Sequence, residues 1–221
     1  MINQTINWGE ESLRYAKNAS KTKTFTNLSF EEYFSFFLNK KIRNMLDVGC
    51  GNGDFLNNFL KNKKIKKFGI EPSQKTIDFC KKRHKKIKFI KAYSHNLPFP
   101  DNNFDLVSIW SVLHWVDRNY FLQSLGELIR VTNKYLMIMC FFPKIEHKTK
   151  YKYKKNFFTY KTHFDKILDN SGYLKKKFEL YYFFDEKKKI NFNKNIEDNI
   201  HQRKIIIYKK KITLPIIEYK I

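Results

Sequence analysis

The chain alternates short apolar runs with stretches whose apolar residues recur every three to four positions, the rhythm of strands followed by helices. Met45 to Val48 is such a run and reads as a buried parallel strand. From Asp54 onward, Phe55, Leu56, Phe59 and Leu60 take helical spacing. Residues 67–70 predict a second strand, and Ser73 is placed to N-cap a crossover helix running to Arg83, with Ile77 and Phe79-Cys80 turned inward. Residues 86–91 predict an edge strand whose alternating lysines discourage further pairing. Residues 104–109 predict a fourth strand, 120–131 a helix (Phe121, Leu122, Leu125, Leu128, Ile129) and 135–140 a fifth strand. The turn between the last two is expected to use Asn133 at positive φ. Ahead of the first strand, Ser29-Phe30-Glu31-Glu32 opens a helix. Its expected apolar face is Phe30, Tyr33, Phe34, Phe37 and Leu38. Near the end, 159–171 predicts a helix stopped by Gly172. Residues 178–184 and 205–208 predict an antiparallel hairpin, joined by a long polar connection over 185–199. Strand and helix in alternation make an α/β fold.

The junction after the first strand carries the chemistry. Asp47-Val48-Gly49-Cys50-Gly51-Asn52-Gly53 places a glycine at every second position, so the chain can bend sharply and a ligand can lie on bare backbone. The dinucleotide fingerprint is G-x-G-x-x-G, which sets a pyrophosphate on a helix N-terminus. Here the spacing differs and an acid stands just inside the strand end, which suits a ligand bearing a cationic amine better than one bearing phosphates. The second strand ends in Glu71-Pro72. An acid at that tip, about twenty residues past the glycine turn, can accept from both hydroxyls of a ribose.

Asp47-Val-Gly-Cys-Gly-Asn-Gly53, then Glu71, then Leu97-Pro-Phe-Pro-Asp-Asn-Asn-Phe-Asp-Leu-Val107 resembles a class I S-adenosylmethionine-dependent methyltransferase of the type 11 group, over roughly residues 42–139. The resemblance implies a Rossmann-like, seven-stranded, mostly parallel sheet of order 3-2-1-4-5-7-6, with the last strand antiparallel and helices on both faces. It implies S-adenosyl-L-methionine as cofactor, held by Asp47, Gly49, Cys50, Gly51, Gly53, Glu71 and Pro72, with backbone at Trp110 and Ser111 receiving the methionine end. Related enzymes commonly carry an adenine-binding Asp where this chain has Tyr93. Either Tyr93 replaces it, or Ser94 and His95 supply the contact. His114, in Leu113-His114-Trp115, matches the loop where some O-methyltransferases keep a base. Its neutral imidazole suits that task, and a wall of the pocket is the alternative reading. Asp105, at the start of its strand, is expected to hold a loop and not to catalyse.

Length, 221 residues, fits one domain with a sizeable core. The expected division is an N-terminal arm or lid over 1–28, with Trp8 and Tyr15 as lid contacts, and a single methyltransferase domain over 29–221. That domain comprises a core at 42–140, an acceptor-side insertion at about 143–160, and a C-terminal helix and hairpin at 159–210. The cysteines, Cys50, Cys80 and Cys140, form no C-x-x-C pair, which points to a reducing compartment and no metal site. No leader and no apolar run long enough to span a bilayer are apparent, so the expectation is a cytoplasmic protein.

Lys and Arg total 44 against 21 acids, a formal charge of +23. Arginine, the better bidentate reader of phosphate, stands only at positions 14, 43, 83, 118, 130 and 203. The excess is lysine in a chain swollen with Asn, Ile, Phe and Tyr, which reads as compositional drift. The partner expected is a small-molecule acceptor, such as a sugar or lipid precursor, methylated on O or N. A tRNA or rRNA acceptor, motivated by the charge, and a non-catalytic cofactor-binding subunit are the alternatives. Neither an Asn/Asp-Pro-Pro-aromatic motif nor a Pro-Cys nucleophile is present, which argues against DNA-type amine or pyrimidine C5 methylation.

Overall fold

The structure is a computed structural model that describes residues 12–19, 31–61, 63–150, 157–184, 190–191 and 203–211. Helix α1 covers 12–19 and α2 Glu31–Leu38. They are followed by β1 (Asn44–Val48), α3 (Asp54–Asn58), β2 (Lys66–Glu71), α4 (Gln74–Arg83), β3 (Lys88–Lys91) and β4 (Phe104–Trp110). A 3₁₀ turn at Leu113–Trp115 leads to α5 (Arg118–Val131) and β5 (Thr132–Phe141). The remainder is β6 (His147–Lys150), β7 (Phe158–Lys161), α6 (Phe164–Asp169), β8 (Leu174–Phe184), β9 (Ile190–Asn191) and β10 (Arg203–Lys210).

The main sheet runs β3-β2-β1-β4-β5-β10-β8-β9. Pairs from β3 to β5 are parallel, and β10 lies antiparallel to both β5 and β8. With β8 as the sixth strand and β10 as the seventh, this is the expected order, extended by the two-residue β9 at the β8 edge. Strand residues alternate between faces. Met45, Leu106 and Met137 enter one apolar layer with Phe37, Leu56 and Ile77. Leu46, Val107 and Ile138 enter the other with Leu125, Leu128 and Leu168. Burial on both faces explains why these strands read as mainly apolar runs, broken in β1 by Asp47 and in β4 by Asp105 and Ser108.

Several local expectations are corrected. Asn133 does not take positive φ, because no loop separates α5 from β5: Thr132 is already extended (φ −75°, ψ 130°). The Thr132 hydroxyl donates back to the Leu128 carbonyl at 2.6 Å and closes the helix. Asn133 Nδ2 donates to Asp105 Oδ1 at 3.2 Å, and Lys134 pairs with the same oxygen at 3.1 Å. Asp105 also accepts from the Arg43 backbone N–H at 2.9 Å, so it ties three segments at the strand starts, as expected of a structural acid. The predicted helix over 159–171 survives only as α6. Residues 158–161 are strand, since Phe157 and Thr159 are buried while Phe158 and Tyr160 are partly exposed, a period of two. Gly172 follows with φ +76°. On α2, Phe36 and Phe37 each stand edge-on to Tyr135 at 5.7 Å, whereas Leu38 is 54% exposed; Phe30 and the side chains of Tyr33 and Phe34 lie outside the described residues. The arm expected over 1–28 contains α1, and Trp8 lies outside the described residues.

Candidate cofactor site

The carboxyl ends of β1, β2 and β4 open onto one cleft, with about 980 Å³ of empty space counted to its mouth. The turn after β1 is held by two backbone bonds, since the N–H groups of Gly49 and Cys50 both donate to the Ile70 carbonyl at 2.9 Å. Gly51 has φ +53°, and a Cβ built there meets no atom within 4 Å, so its bare backbone faces open space in the cleft. At Gly49 a Cβ would fall 2.4 Å from a Val112 methyl. The glycine there lets the loop after β4 close down on the turn.

Two acids stand over this bend. Asp47 is 2% exposed, and its Oδ1 accepts from the Ser108 hydroxyl at 2.6 Å. Glu71 is 3% exposed, its Oε1 accepting from Ser12 at 2.7 Å and its Oε2 from the Gly51 N–H at 3.3 Å. Burial pushes both carboxyls up to about 7, against the hydrogen bonds from Ser108 and Ser12. Among the described residues no cation forms an ion pair with either acid. The Ser12 hydroxyl in turn accepts from Thr76 Oγ1 at 3.2 Å, so α1 is tied across the cleft mouth to β2 and α4.

Of the residues singled out in the sequence, Asp47, Gly49, Cys50, Gly51, Glu71, Pro72, Tyr93, Ser94, Trp110 and Ser111 all line the cleft. Ser111 takes φ +52° and its N–H donates to the Met139 carbonyl at 2.7 Å. Gly53 stands apart: a Cβ there would meet His84 at 2.8 Å and Phe89 at 3.0 Å, so its role is packing. His95 also leaves the wall, stacked between Tyr93 and Tyr120 at 5.5 and 4.1 Å. His114 is corrected as well. It is buried behind the 3₁₀ turn, with Nδ1 3.6 Å from Cys140 Sγ and its ring 4.7 Å from Phe141. Burial, then the charges of Lys161 and Arg203, hold its imidazole well below the usual histidine range. Sequence reading missed Ser12, Ala16, Phe55 and Trp115 on the wall. A serine in the middle of an apolar strand, Ser108, was a legible sign of a buried polar partner.

Residues 45–135 match the family described as a methyltransferase domain. Residues 45–135 thus carry a methyltransferase domain, and the chain around them has the fold of S-adenosylmethionine-dependent methyltransferases. The ubiquinone/menaquinone biosynthesis C-methyltransferase of Campylobacter jejuni is 30% identical to it over 111 residues, 47% of this chain and 46% of that one. A fatty-acid O-methyltransferase of Mycolicibacterium smegmatis is 29% identical over 92 residues, 40% of this chain and 34% of that one. The chain thus spans less than half the length of these relatives. A solved S-adenosylmethionine-dependent methyltransferase from Methanosarcina mazei shares the fold of this domain, with TM-score 0.64 at 14% identity over 82% of this chain and 98% of that one.

The cofactor of such a domain is S-adenosylmethionine, and the cleft fits it. Gly51 leaves open the space that a side chain would fill. The uncompensated Asp47 suits a cationic methionine end, Glu71 suits paired ribose hydroxyls, and Ile70, Ala92 and Tyr93 offer an apolar wall for a base. Among the described residues no His, Cys, Asp and Glu cluster has the makings of a metal site, the three cysteines are free and buried, and no helix is long and apolar enough to cross a membrane.

Proposed function

We propose that this chain transfers a methyl group from S-adenosylmethionine to a small-molecule acceptor. The observation that carries the reading is a pair of buried carboxylates, Asp47 and Glu71, set over an open glycine bend with no ion-pair partner among the described residues. Ionised acids in such a place are costly unless a ligand completes them. A bound S-adenosylmethionine supplies a methyl group already activated on a sulfonium. The protein's part is then alignment, which contributes up to roughly 7–11 kcal/mol in well-oriented reactions. Asp47, fixed by Ser108, holds the cationic end, and the bend through Gly49 and Gly51 carries the middle of the cofactor. Glu71 exchanges its Ser12 hydrogen bond for ribose hydroxyls. Trp110, Ser111 and Trp115 wall the side from which an acceptor approaches.

A small-molecule acceptor is supported by relatives named for ubiquinone and menaquinone biosynthesis and for fatty acids. The class of acceptor is what a labelled-methyl screen decides. Labelled S-adenosylmethionine is incubated with the protein and a cell extract split into small-molecule, polysaccharide and RNA fractions. Label is expected in the small-molecule fraction. Label in RNA alone would redirect the reading, and calorimetry showing a nicotinamide dinucleotide bound more tightly than S-adenosylhomocysteine would end it.

A further inference from the structure

The proposed chemistry leaves one charged cluster unused. Lys161, the last residue of β7, holds Nζ 3.5 Å from the centroid of the Phe141 ring. Arg203, the register partner of Phe141 across the β5–β10 ladder, holds Cζ 4.6 Å from the same ring. One cation on an aromatic face is attracted by the ring's negative face. Two cations on one ring also repel each other, and half-buried they forfeit water as well. Among the described residues no carboxylate pairs with Lys161, and burial together with Arg203 pulls its ammonium down to about 8. Lys204, on β10, differs from Lys161: it pairs with Asp165 at 2.9 Å and with Glu179. Where this fold needs a buried cation for its own architecture, it supplies acids.

The cluster lies on the acceptor side. Phe141 ends β5 at the carboxyl edge of the parallel strands, where open α/β sheets take their ligands. Trp115, a wall of the cleft, stands 4.9 Å from His114, and His114 stands edge-on 4.7 Å from Phe141. Phe157, just before β7, lies 6.0 Å from Trp115. A ladder of rings therefore leads from the cleft to the two cations. We propose that Lys161 and Arg203 form a subsite for an anionic oxyacid group, a carboxylate or a phosphate monoester, carried by the methyl acceptor. An ammonium beside a guanidinium offers charge-assisted donors of the kind such groups take. The word acceptor rests on the methyltransferase reading, whereas the anion site does not.

The test is calorimetric. Octanoate, octyl phosphate and 1-octanol are titrated at pH 7 into protein saturated with S-adenosylhomocysteine. At least one anion is expected to bind ten times more tightly than octanol, and the stronger of the two identifies the oxyacid. Lys161→Met should reduce anion affinity at least fivefold and leave S-adenosylhomocysteine affinity unchanged, while Lys161→Arg should restore the preference. Anions that bind no better than octanol, or a Lys161→Met protein that keeps the full preference, overturn the subsite. So does an oligouridylate that binds through Lys161 where neither octyl anion does. If S-adenosylhomocysteine itself fails to bind, the cofactor reading falls. An anion preference still lost in Lys161→Met would even then uphold the subsite.

Discussion

Asp47 and Glu71, at the first two strands, and Lys204, on β10, are all buried to within a few per cent, yet only Lys204 is surrounded by opposite charge. Its ammonium meets Asp165 from α6 and Glu179 from β8, and sits 3.9 Å from the Phe142 ring. Among the described residues the acids of β1 and β2 meet neutral donors, Ser108, Ser12 and the amides of Gly51 and Ser73. Bringing each to its charged form at pH 7 costs on the order of 3–4 kcal/mol relative to water. The difference separates two uses of buried charge. A compensated group welds elements together, and an uncompensated one facing a cleft awaits a ligand.

The largest effect expected from breaking this contrast is at the weld. Lys204→Met strips the buried Asp165 of its cation and leaves Glu179 with Lys176 alone, and removal of one member of a buried pair costs about 3–5 kcal/mol. Urea unfolding should show that loss, with S-adenosylhomocysteine affinity nearly unchanged in the protein that remains folded. At the cleft the pattern should reverse. Glu71→Gln should weaken S-adenosylhomocysteine about 10- to 100-fold, the worth of hydrogen bonds to a charged group. The unfolding free energy of the ligand-free chain should change by less than about 1 kcal/mol, since the amide removes a buried charge. Equal losses of stability and affinity would erase the distinction.

Titration sharpens it further. The folded carboxyls lie near 7, above ordinary values near 4, so the folded ligand-free chain binds more protons than the unfolded chain between those limits. The stability these two groups contribute is complete below pH 4 and is lost as pH rises to 7. The cofactor has the opposite sign, because its cationic end favours ionised Asp47. Its affinity should fall as pH drops below 7, by up to about tenfold per unit for each group, with protons released on binding in calorimetry at pH 6.5. A flat affinity from pH 5.5 to 8 would contradict this. The smallest effect belongs to His114→Gln, expected to change S-adenosylhomocysteine affinity less than twofold and to leave the pH profile of methyl transfer where it was.

The core and the cleft floor were legible in sequence because they rest on strong local signals. Strands buried on both faces are mainly apolar, as Met45, Leu46 and Val48 are, and a turn pressed against another loop must be glycine, as at Gly49. What escaped depends on small or polar groups whose partners are distant in sequence. Helix α1 buries only Ser12 and Ala16, residues too small to register as an apolar face, yet Ser12 reaches Glu71, 59 positions away. His114 shows the converse. Its residue type and loop suggested chemistry, but only the packing of β5 and β7 around the 3₁₀ turn reveals that the ring points away from the cleft. Asn133 failed for a simpler reason, since Thr132 ends the helix with its own side chain and leaves no turn to make.

The seat of β10 between β5 and β8 bears on how the molecule is made. During synthesis from the ribosome, both flanking ladders stay open until 203–210 emerges, and each exposes unpaired amides and apolar side chains in the meantime. A nascent chain stopped before residue 203 would hold a complete cofactor cleft on a sheet split in two. Chaperone protection through that interval is thus of more consequence here than for a fold whose last strand adds at an edge.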